Sequence, residues 1–168
     1  MKDSFLIHEN KLFYMGIYED KLNSFLKENS SDAEILIFDK SCHSVEEAAK
    51  TANKNPSDFI KSICMIDSNE NLLVAIVKGE NRVSTARIGK SLNIERPRIA
   101  TPKEMLDKTG YPCGGTPPFG YNAVFLIDPK VMEKEVVYGG GGSEFSLIKV
   151  KTQELKRLNK GEIIKVSK

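Results

Sequence analysis

Two apolar runs separated by a polar turn constrain the fold of this chain more than any other sequence feature. Residues 59–66 (FIKSICMI) and Leu72–Lys78 (LLVAIVK) are rich in β-branched side chains, and the stretch between them, residues 67–71, is polar. Runs of this length and composition, bounded by a turn, are typical of paired strands. Because almost every position in both runs is apolar, we predict a mostly buried β-hairpin at the core of a sheet.

The segments around this hairpin alternate between helical and extended patterns. Apolar spacing and capping residues predict helices over residues 19–29, 44–55, 84–92, 101–110 and 152–158. Short apolar runs predict further strands over residues 33–39, 123–128, 135–138, 145–150 and 163–166. Interleaved strands and short helices in a chain of 168 residues predict a single domain, residues 1–168, built on one α/β sheet or a partly closed barrel.

Charge is distributed unevenly although the net charge is only +2. Residues 78–103 and 149–168 each hold seven basic and two acidic residues, whereas residues 1–60 hold seven basic and eleven acidic ones. The two basic segments could line a site for a polyanion, or they could be ordinary solvated surface. Residues 1–10 contain only a short apolar run, and no stretch of the chain is long and apolar enough to span a bilayer. We therefore predict a soluble, cytoplasmic protein with no membrane partner.

The cysteines do not form a metal-binding pattern. Cys42, Cys64 and Cys113 are far apart in the sequence, and the only histidines are His8 and His43. This spacing does not match that of a zinc site, so we expect reduced structural thiols and no bound metal. The adjacent pair Cys42-His43 could be read as a nucleophile with its base, but a structural role is favoured for the cysteine because no third member is identifiable. His43 lies just before a predicted helix and could face a ligand.

Lys61 is the first candidate for a functional residue, because it is a cation inside an apolar strand. Its neighbours Ile60 and Ile63 are apolar, so its ammonium group needs either a counter-charge or a path to solvent. Two interpretations are open. The side chain extends outward from the frayed start of the strand, or it binds an anion such as phosphate at the mouth of a pocket.

A glycine- and proline-rich loop over residues 110–120 (GYPCGGTPPFG) is the second candidate. Its paired glycines allow the backbone to approach a ligand closely, and its prolines make the segment rigid. Backbone N–H groups held in this way can form an oxyanion hole, although a plain surface turn is the competing interpretation. The glycine run at residues 139–142 lacks the Lys-Ser/Thr ending of a phosphate-binding loop, so we predict a flexible turn there. No catalytic triad is identifiable in the sequence.

The order of these features resembles the YbaK and prolyl-tRNA-synthetase-associated editing-domain family. The resemblance covers residues 39–158 and rests on the motifs SVEEAAK, IKSI, LLVAIVKGENRVS, GGTPPFG and YGGGGS. It implies a mixed α/β fold in which short helices surround a barrel-like sheet. Residues 1–38 are then an N-terminal extension with one helix. The resemblance also implies hydrolysis of the ester that joins a wrong amino acid to the 3′ end of a tRNA, without a protein nucleophile and without a cofactor.

By resemblance, Lys61 binds the phosphate of the terminal adenosine, and Gly115 and Thr116 hold the aminoacyl ester. The candidate substrate-binding residues are Ser62, His43, Pro117, Pro118, Gly140 and Gly141. The candidate tRNA-binding cations are Lys78, Arg82, Arg87 and Lys90. Family members carry an acidic residue after the glycine turn, and Glu144 lies in the corresponding stretch of this chain.

The implied partners are a mischarged tRNA and an aminoacyl-tRNA synthetase. The family suggests alanine or cysteine on the tRNA for proline, with serine or threonine on other tRNAs equally open. Two other functions fit the same residues: a non-catalytic module that binds tRNA or a nucleotide, and a domain that docks on a synthetase.

Overall fold

The computed structural model describes residues 16–168, so the predictions made for residues 1–10 and for His8 lie outside the described part. The helices are α1 (16–28), α2 (Val45–Ala52), α3 (Thr85–Leu92), α4 (Pro102–Thr109) and α5 (Thr152–Asn159). The strands are β1 (Glu34–Ile37), β2 (Ile60–Ile66), β3 (Leu72–Lys78), β4 (Arg98–Ile99), β5 (Val124–Ile127), β6 (Val136–Gly140), β7 (Ser146–Lys151) and β8 (Glu162–Ile163). Within residues 16–168, no helix has the length and apolar character needed to cross a membrane.

The predicted central hairpin is confirmed. Strands β2 and β3 pair antiparallel over their whole length, from Ile60 opposite Lys78 to Ile66 opposite Leu72. The turn between them is organised by Asp67, whose Oδ1 atom accepts hydrogen bonds from the backbone N–H groups of residues 69 and 71 at 2.8 and 2.9 Å. An aspartate at this position favours such a turn because its short side chain bonds to nearby backbone groups.

Both faces of the hairpin are buried, which explains why its two strands are apolar at nearly every position. Alternate residues of a strand point to opposite faces. One face packs in a core with helix α1 and the glycine–proline loop; its buried members include Ile60, Cys64, Ile66, Val74, Ile76, Leu22, Tyr111 and Phe119. The opposite face packs against α3 and the C-terminal segment; its buried members are Met65, Leu73, Ala75, Val77, Ile88, Leu126 and Val166.

The strands form two sheets, and the mixed α/β class predicted from the sequence is confirmed. The five-stranded sheet has the order β4-β2-β3-β5-β8, with β5 parallel to β3, and the three-stranded sheet has the order β1-β7-β6. A bridge between Phe59 and Tyr138 connects the two sheets, and the rings of these residues stack with their centroids 5.5 Å apart. The start of β2 therefore lies beside β6.

The predicted helices are present, and their caps follow the sequence signals. The Ser44 hydroxyl accepts a hydrogen bond from the Glu47 N–H at the start of α2, and Thr101 and Glu104 form a reciprocal capping box at the start of α4. Gly110 ends α4 in the left-handed conformation (φ 79°), which glycine adopts without steric cost. Helix α2 is shorter than predicted because Asn53 already adopts a left-handed C-cap conformation.

Three details of the strand prediction are wrong. Gly139 and Gly140 belong to strand β6 and pair with β7, so the predicted turn at residues 139–142 is confined to its second half. Strand β4 was not predicted, because two residues are too few to give an alternating pattern. The last strand is Glu162–Ile163 rather than 163–166. Residues 166 and 167 instead donate their N–H groups to the buried Asp128 carboxylate, a side-chain contact that no strand pattern predicts.

Candidate active site

A cleft of about 340 Å³ lies where the two sheets meet. Its walls come from the start of α2, strand β2, the segment from β4 to α4, the glycine–proline loop and strand β6. The residues that line it include Cys42, His43, Ser44, Phe59, Ile60, Lys61, Ser62, Cys64, Ile99, Pro102, Met105, Cys113, Gly114, Thr116 and Gly140. The cleft thus brings together residues that are as far apart in the sequence as 43 and 140.

The cleft exists because one edge of β2 is only partly paired. On that edge β2 pairs with β4 at Met65 and Ile66, and the bridge at Phe59 connects its other end to β6. Between these points, in residues 60–63, no described strand pairs with this edge of β2. An unpaired strand edge presents backbone N–H and C=O groups that can bind a ligand. Lys61 and Ser62 lie in this gap and line the cleft.

The side chain of Lys61 is a partly buried cation in the wall of the cleft. Burial lowers the pKa of its ammonium group, the neighbouring charge of Arg82 lowers it further, and Glu46 acts in the opposite direction. Within residues 16–168, Lys61 forms no salt bridge within 4.0 Å. A cation that is partly desolvated and unpaired gains energy when an anion binds beside it. Of the two interpretations of the sequence, this geometry favours the anion site.

The glycine–proline loop contributes its first half to the cleft and buries its second half. Gly114 and Thr116 line the cleft, whereas Gly115, Pro117 and Pro118 are buried outside the lining. The carbonyl groups of the two prolines accept hydrogen bonds from the Tyr121 hydroxyl (2.7 Å) and the Asn159 amide (3.1 Å). The prolines therefore anchor the loop to the core, and the structure does not bring them to the cleft with the other predicted substrate-binding residues.

The backbone N–H of Gly115 is engaged inside the loop, and the role predicted for Gly115 in holding the ester stays a prediction. It donates a hydrogen bond to the Pro112 carbonyl at 3.1 Å, and the Thr116 hydroxyl donates to the same oxygen at 3.0 Å. Among the described residues, the N–H groups of Gly114 and Thr116 have no hydrogen-bond partner. Both residues line the cleft, so their N–H groups are the candidate donors to a ligand.

The glycine run supports the loop from below. A Cβ atom on Gly140 would lie 2.9 Å from the Gly115 carbonyl oxygen and still closer to that of Thr116, so only glycine allows the strand and the loop to approach this closely. Gly140 also lines the cleft, as predicted for a substrate-binding residue, but its binding role stays a prediction. Gly141 is buried against the backbone of Leu147 and does not reach the cleft.

His43 and Cys42 lie side by side at the cleft but have different environments. The His43 ring is exposed and occupies the space that a Cβ atom of residue 114 would take, and the positive φ of Gly114 (88°) favours glycine at that position. The Cys42 thiol is buried, and burial raises its pKa to about 11. A thiol with this pKa is protonated at neutral pH and is a poor nucleophile. His43 is therefore the member of this pair that can face a ligand.

The four predicted tRNA-binding cations do not line the cleft. Lys78 is largely buried and forms a salt bridge with Glu80 at 3.1 Å, which reduces its availability to phosphate. Arg82 is exposed and close enough to affect Lys61, whereas Arg87 and Lys90 lie on helix α3. Glu144 is half-exposed and also lies outside the cleft lining.

An apolar lip at the cleft was missed by the sequence analysis. Ile99 is 56% exposed, although it is a large hydrophobic residue, and it lines the cleft together with Pro102 and Met105. The capping box at Thr101 indicated where α4 begins but not which of its residues would face a ligand. The cleft therefore combines a cation, free backbone donors and an apolar wall, a combination suited to a ligand with both phosphate and apolar groups. Within residues 16–168, no three His, Cys, Asp or Glu side chains are grouped so that they could hold a metal ion.

The chain belongs to the aminoacyl-tRNA editing domain family, whose model matches residues 39–158. The family predicted from the sequence motifs is thereby confirmed. Its fold is shared with the hypothetical protein APE2540, which is 27% identical; the superposition covers 88% of this chain and 99% of that one, with a TM-score of 0.82. The fold is also that of a protein proposed to be a trans-editing enzyme for prolyl tRNA synthetase, which is 21% identical (TM-score 0.83, covering 90% and 97% of the two chains).

The chain is also similar to several curated proteins. YwhH of Bacillus subtilis, an uncharacterised protein, is 24% identical over 124 residues, which are 73% of this chain and 78% of YwhH. The proline–tRNA ligase of Thermotoga neapolitana is 28% identical over 97 residues, and that of Pseudothermotoga lettingae is 28% identical over 116 residues. These matches cover 57% and 67% of this chain but only 17% and 20% of the two ligases. The likeness to the ligases is thus to a small part of each enzyme.

Proposed function

We propose that the protein is a trans-editing aminoacyl-tRNA deacylase, which hydrolyses the ester of a mischarged tRNA. The observation that carries this proposal is that Lys61, Gly114 and Thr116 line one cleft, and that the N–H groups of Gly114 and Thr116 have no hydrogen-bond partner among the described residues. The membership in an aminoacyl-tRNA editing domain family and the similarity to part of two proline–tRNA ligases support it. The partners are then a mischarged tRNA and, by the same similarity, a prolyl-tRNA synthetase.

In the proposed reaction each part of the cleft has one task. Lys61 binds the phosphate next to the terminal adenosine, and the N–H groups of Gly114 and Thr116 donate to the carbonyl oxygen of the ester as it becomes negatively charged. Water adds to the carbonyl carbon, the bond to the ribose oxygen breaks, and that oxygen takes up a proton. The products are a free amino acid and a tRNA with a free terminal hydroxyl.

This chemistry does not require a protein nucleophile. Hydrogen-bond donors fixed in advance at a developing oxyanion accelerate a reaction strongly, because removing one of them by mutation lowers kcat about 100- to 1000-fold. A second hydrolytic site is useful because a synthetase can discriminate between two amino acids that differ by one methylene group by only about 1–3 kcal/mol. This difference is too small to reject the smaller amino acid reliably. The high pKa of the Cys42 thiol, about 11, agrees with a reaction in which this cysteine is not the nucleophile.

Substitution of Lys61 tests the proposal. We expect Lys61→Ala to reduce release of amino acid from a mischarged tRNA at least about 100-fold, because a fixed phosphate contact that positions the ester is lost. Lys61→Arg should retain part of the activity, since it keeps the charge. Lys27→Ala is the matched control, because Lys27 is an exposed lysine on α1 outside the cleft.

The assay should screen tRNAs charged with alanine, cysteine, serine or threonine, and circular dichroism should confirm that each variant is folded. If Lys61→Ala is folded and as active as wild type, the proposed role of Lys61 is wrong. If the wild-type protein binds mischarged tRNA without releasing amino acid from any of them, the protein is a binding module instead of a deacylase. Co-purification with a synthetase that persists in Lys61→Ala would indicate a docking domain.

A further inference from the structure

Helix α1 lies outside the segment matched by the family model, residues 39–158, yet it contacts the glycine–proline loop and the glycine run, which both contribute to the cleft walls. On the glycine–proline loop, the Lys21 ammonium lies 4.6 Å from the centroid of the Tyr111 ring, and the Phe25 ring stacks on Phe119 at 5.8 Å. On the glycine run, a Cβ atom on Gly142 would lie 3.0 Å from the backbone of Tyr18. The helix therefore packs against the side of these segments that faces away from the cleft.

The most unusual residue of α1 is Glu19, a carboxylate that is only 4% exposed. Its Oε1 atom accepts a hydrogen bond from the Ser143 hydroxyl at 2.5 Å, and its Oε2 atom has no partner in the described part of the chain. Burying a carboxylate with so few partners is unfavourable. A residue that serves only to attach α1 to the core could be apolar, so the carboxylate indicates a specific task at Ser143.

Ser143 is the centre of a buried polar cluster at the end of the glycine run. Its hydroxyl also accepts a hydrogen bond from the Phe145 N–H at 3.1 Å, and its own N–H donates to the Ser146 hydroxyl at 3.1 Å. These bonds and the one that the Ser143 hydroxyl donates to Glu19 fix the turn between β6 and β7. The Glu19 side chain is the member of this cluster that comes from a distant part of the sequence, 124 residues away from Ser143.

The turn at Ser143 determines where the catalytic loop can lie. A Cβ atom on Gly115 would be 2.5 Å from the Ser143 Cα atom, so the two backbones are in direct contact. The Gly142 N–H donates to the Gly115 carbonyl at 2.8 Å, which holds the loop in register with the turn. Gly114 and Thr116, whose N–H groups are free, flank this contact. A displacement of Ser143 therefore moves the oxyanion donors.

We propose that Glu19 is a positioning residue, which sets the location of the Gly114–Thr116 backbone through Ser143 and makes helix α1 a functional part of the editing site. The proposal rests on the proposed function for its effect on rate, but not for its effect on structure. Glu19 does not touch the substrate. It fixes the turn on which the catalytic loop rests.

Three variants test this proposal. Glu19→Ala removes the bond to Ser143, Glu19→Gln retains an acceptor of the same size, and Glu28→Ala is the matched control because Glu28 is an exposed glutamate on the same helix. We expect Glu19→Ala to lower kcat about 10- to 100-fold with KM for the mischarged tRNA changed less than about threefold, since misplacement by roughly 1 Å can cost about 100-fold. Glu19→Gln should recover most of kcat, and Glu28→Ala should behave as wild type.

A second readout is independent of catalysis. The ¹⁵N–¹H signals of Gly114, Gly115 and Thr116 should shift in Glu19→Ala and stay in place in Glu28→Ala. Unchanged signals in Glu19→Ala, or an unchanged kcat with only a lower melting temperature, would overturn the proposal and leave Glu19 with a purely structural role. If Glu19→Ala does not fold, Ser143→Ala provides the same two measurements, with the same expected shifts and the same outcome against the proposal.

The failure of this inference can be told apart from a failure of the proposed function. A wild-type protein that releases no amino acid from any mischarged tRNA removes the deacylase proposal, while the loop signals still report on Glu19. An active wild-type protein whose kcat and loop signals do not respond to Glu19→Ala removes the positioning role alone.

Discussion

Adding a single methyl group at Gly140 should displace the backbone of the glycine–proline loop. The new Cβ atom would lie 2.9 Å from the Gly115 carbonyl oxygen and closer still to the Thr116 carbonyl oxygen. Carbon–oxygen contacts of about 3.3–3.6 Å are normal for a close approach, so the strand and the loop have to separate by roughly 1 Å or slightly more at the Thr116 carbonyl oxygen. The atoms in the way belong to the backbone, so no rotation of a side chain can relieve the clash.

The adjacent glycine is a matched control for this substitution. A Cβ atom on Gly139 would meet a side-chain carbon of Ile60 at 3.1 Å, and that side chain can shift slightly. Both glycines lie in β6 and neither has a positive φ, so backbone strain does not distinguish them. The two variants therefore differ mainly in whether the added Cβ atom contacts the backbone of the glycine–proline loop.

We expect Gly140→Ala to lower kcat/KM for deacylation about 10- to 100-fold, because a displacement approaching 1 Å can cost about 100-fold. Its free energy of unfolding should fall by about 1–3 kcal/mol, the usual cost of overpacking. Gly139→Ala should retain kcat/KM within about threefold. The measurements are release of free amino acid from mischarged tRNA and urea denaturation. If the two folded variants have equal activity, the contact between Gly140 and the loop does not position the catalytic groups.

Two further predictions concern other parts of the molecule. Asp128→Ala should lower the free energy of unfolding, measured by urea denaturation, by about 2–6 kcal/mol, because two buried N–H groups of the C-terminal segment lose their acceptor at about 1–3 kcal/mol each. Asp107→Ala is the control, because Asp107 is exposed. Equal effects of the two substitutions would contradict this prediction. Burial alone would raise the pKa of Asp128, but hydrogen bonds from Ser167, Lys130 and Val166 lower this pKa overall. The contribution of Asp128 to stability should therefore be complete above the unfolded pKa of about 4 and should be lost as the pH falls through the lower folded pKa. Of the three cysteines, the exposed Cys113 should react fastest with a thiol reagent at pH 8. The other two should react slowly, because burial raises the pKa of Cys42 to about 11 and that of Cys64 to about 12. Rapid modification of all three cysteines in the folded protein would contradict this prediction.

The parts of the fold that local sequence determines were predicted correctly. The β2–β3 hairpin follows from two apolar runs around Asp67, and α4 follows from the Thr101 capping box and the glycine at its end. In both cases the deciding interactions join residues within a few positions of one another. Such signals survive in a sequence without any knowledge of tertiary structure.

The composition of the cleft was predicted less completely, because it depends on contacts between distant segments. Lys61 and Thr116 were identified from their residue types, and both line the cleft. No sequence pattern indicates that Gly115 uses its N–H inside the loop, that the Pro117 carbonyl accepts a bond from Tyr121, or that Glu19 reaches Ser143. Each of these facts depends on how the loop, the glycine run and α1 pack together, and that packing has no local signature.

The junction of the two sheets at the Phe59–Tyr138 bridge allows the width of the cleft to change between related sequences. Residues from both sheets line the cleft, and the bridge between Phe59 and Tyr138 connects the two sheets. Small changes along the three-stranded sheet can therefore widen or narrow the opening while the hairpin that carries Lys61 keeps its own pairing. Under the proposed function, substitutions in the three-stranded sheet can thus change which amino acid the cleft accepts without altering the pairing of the strand that carries Lys61.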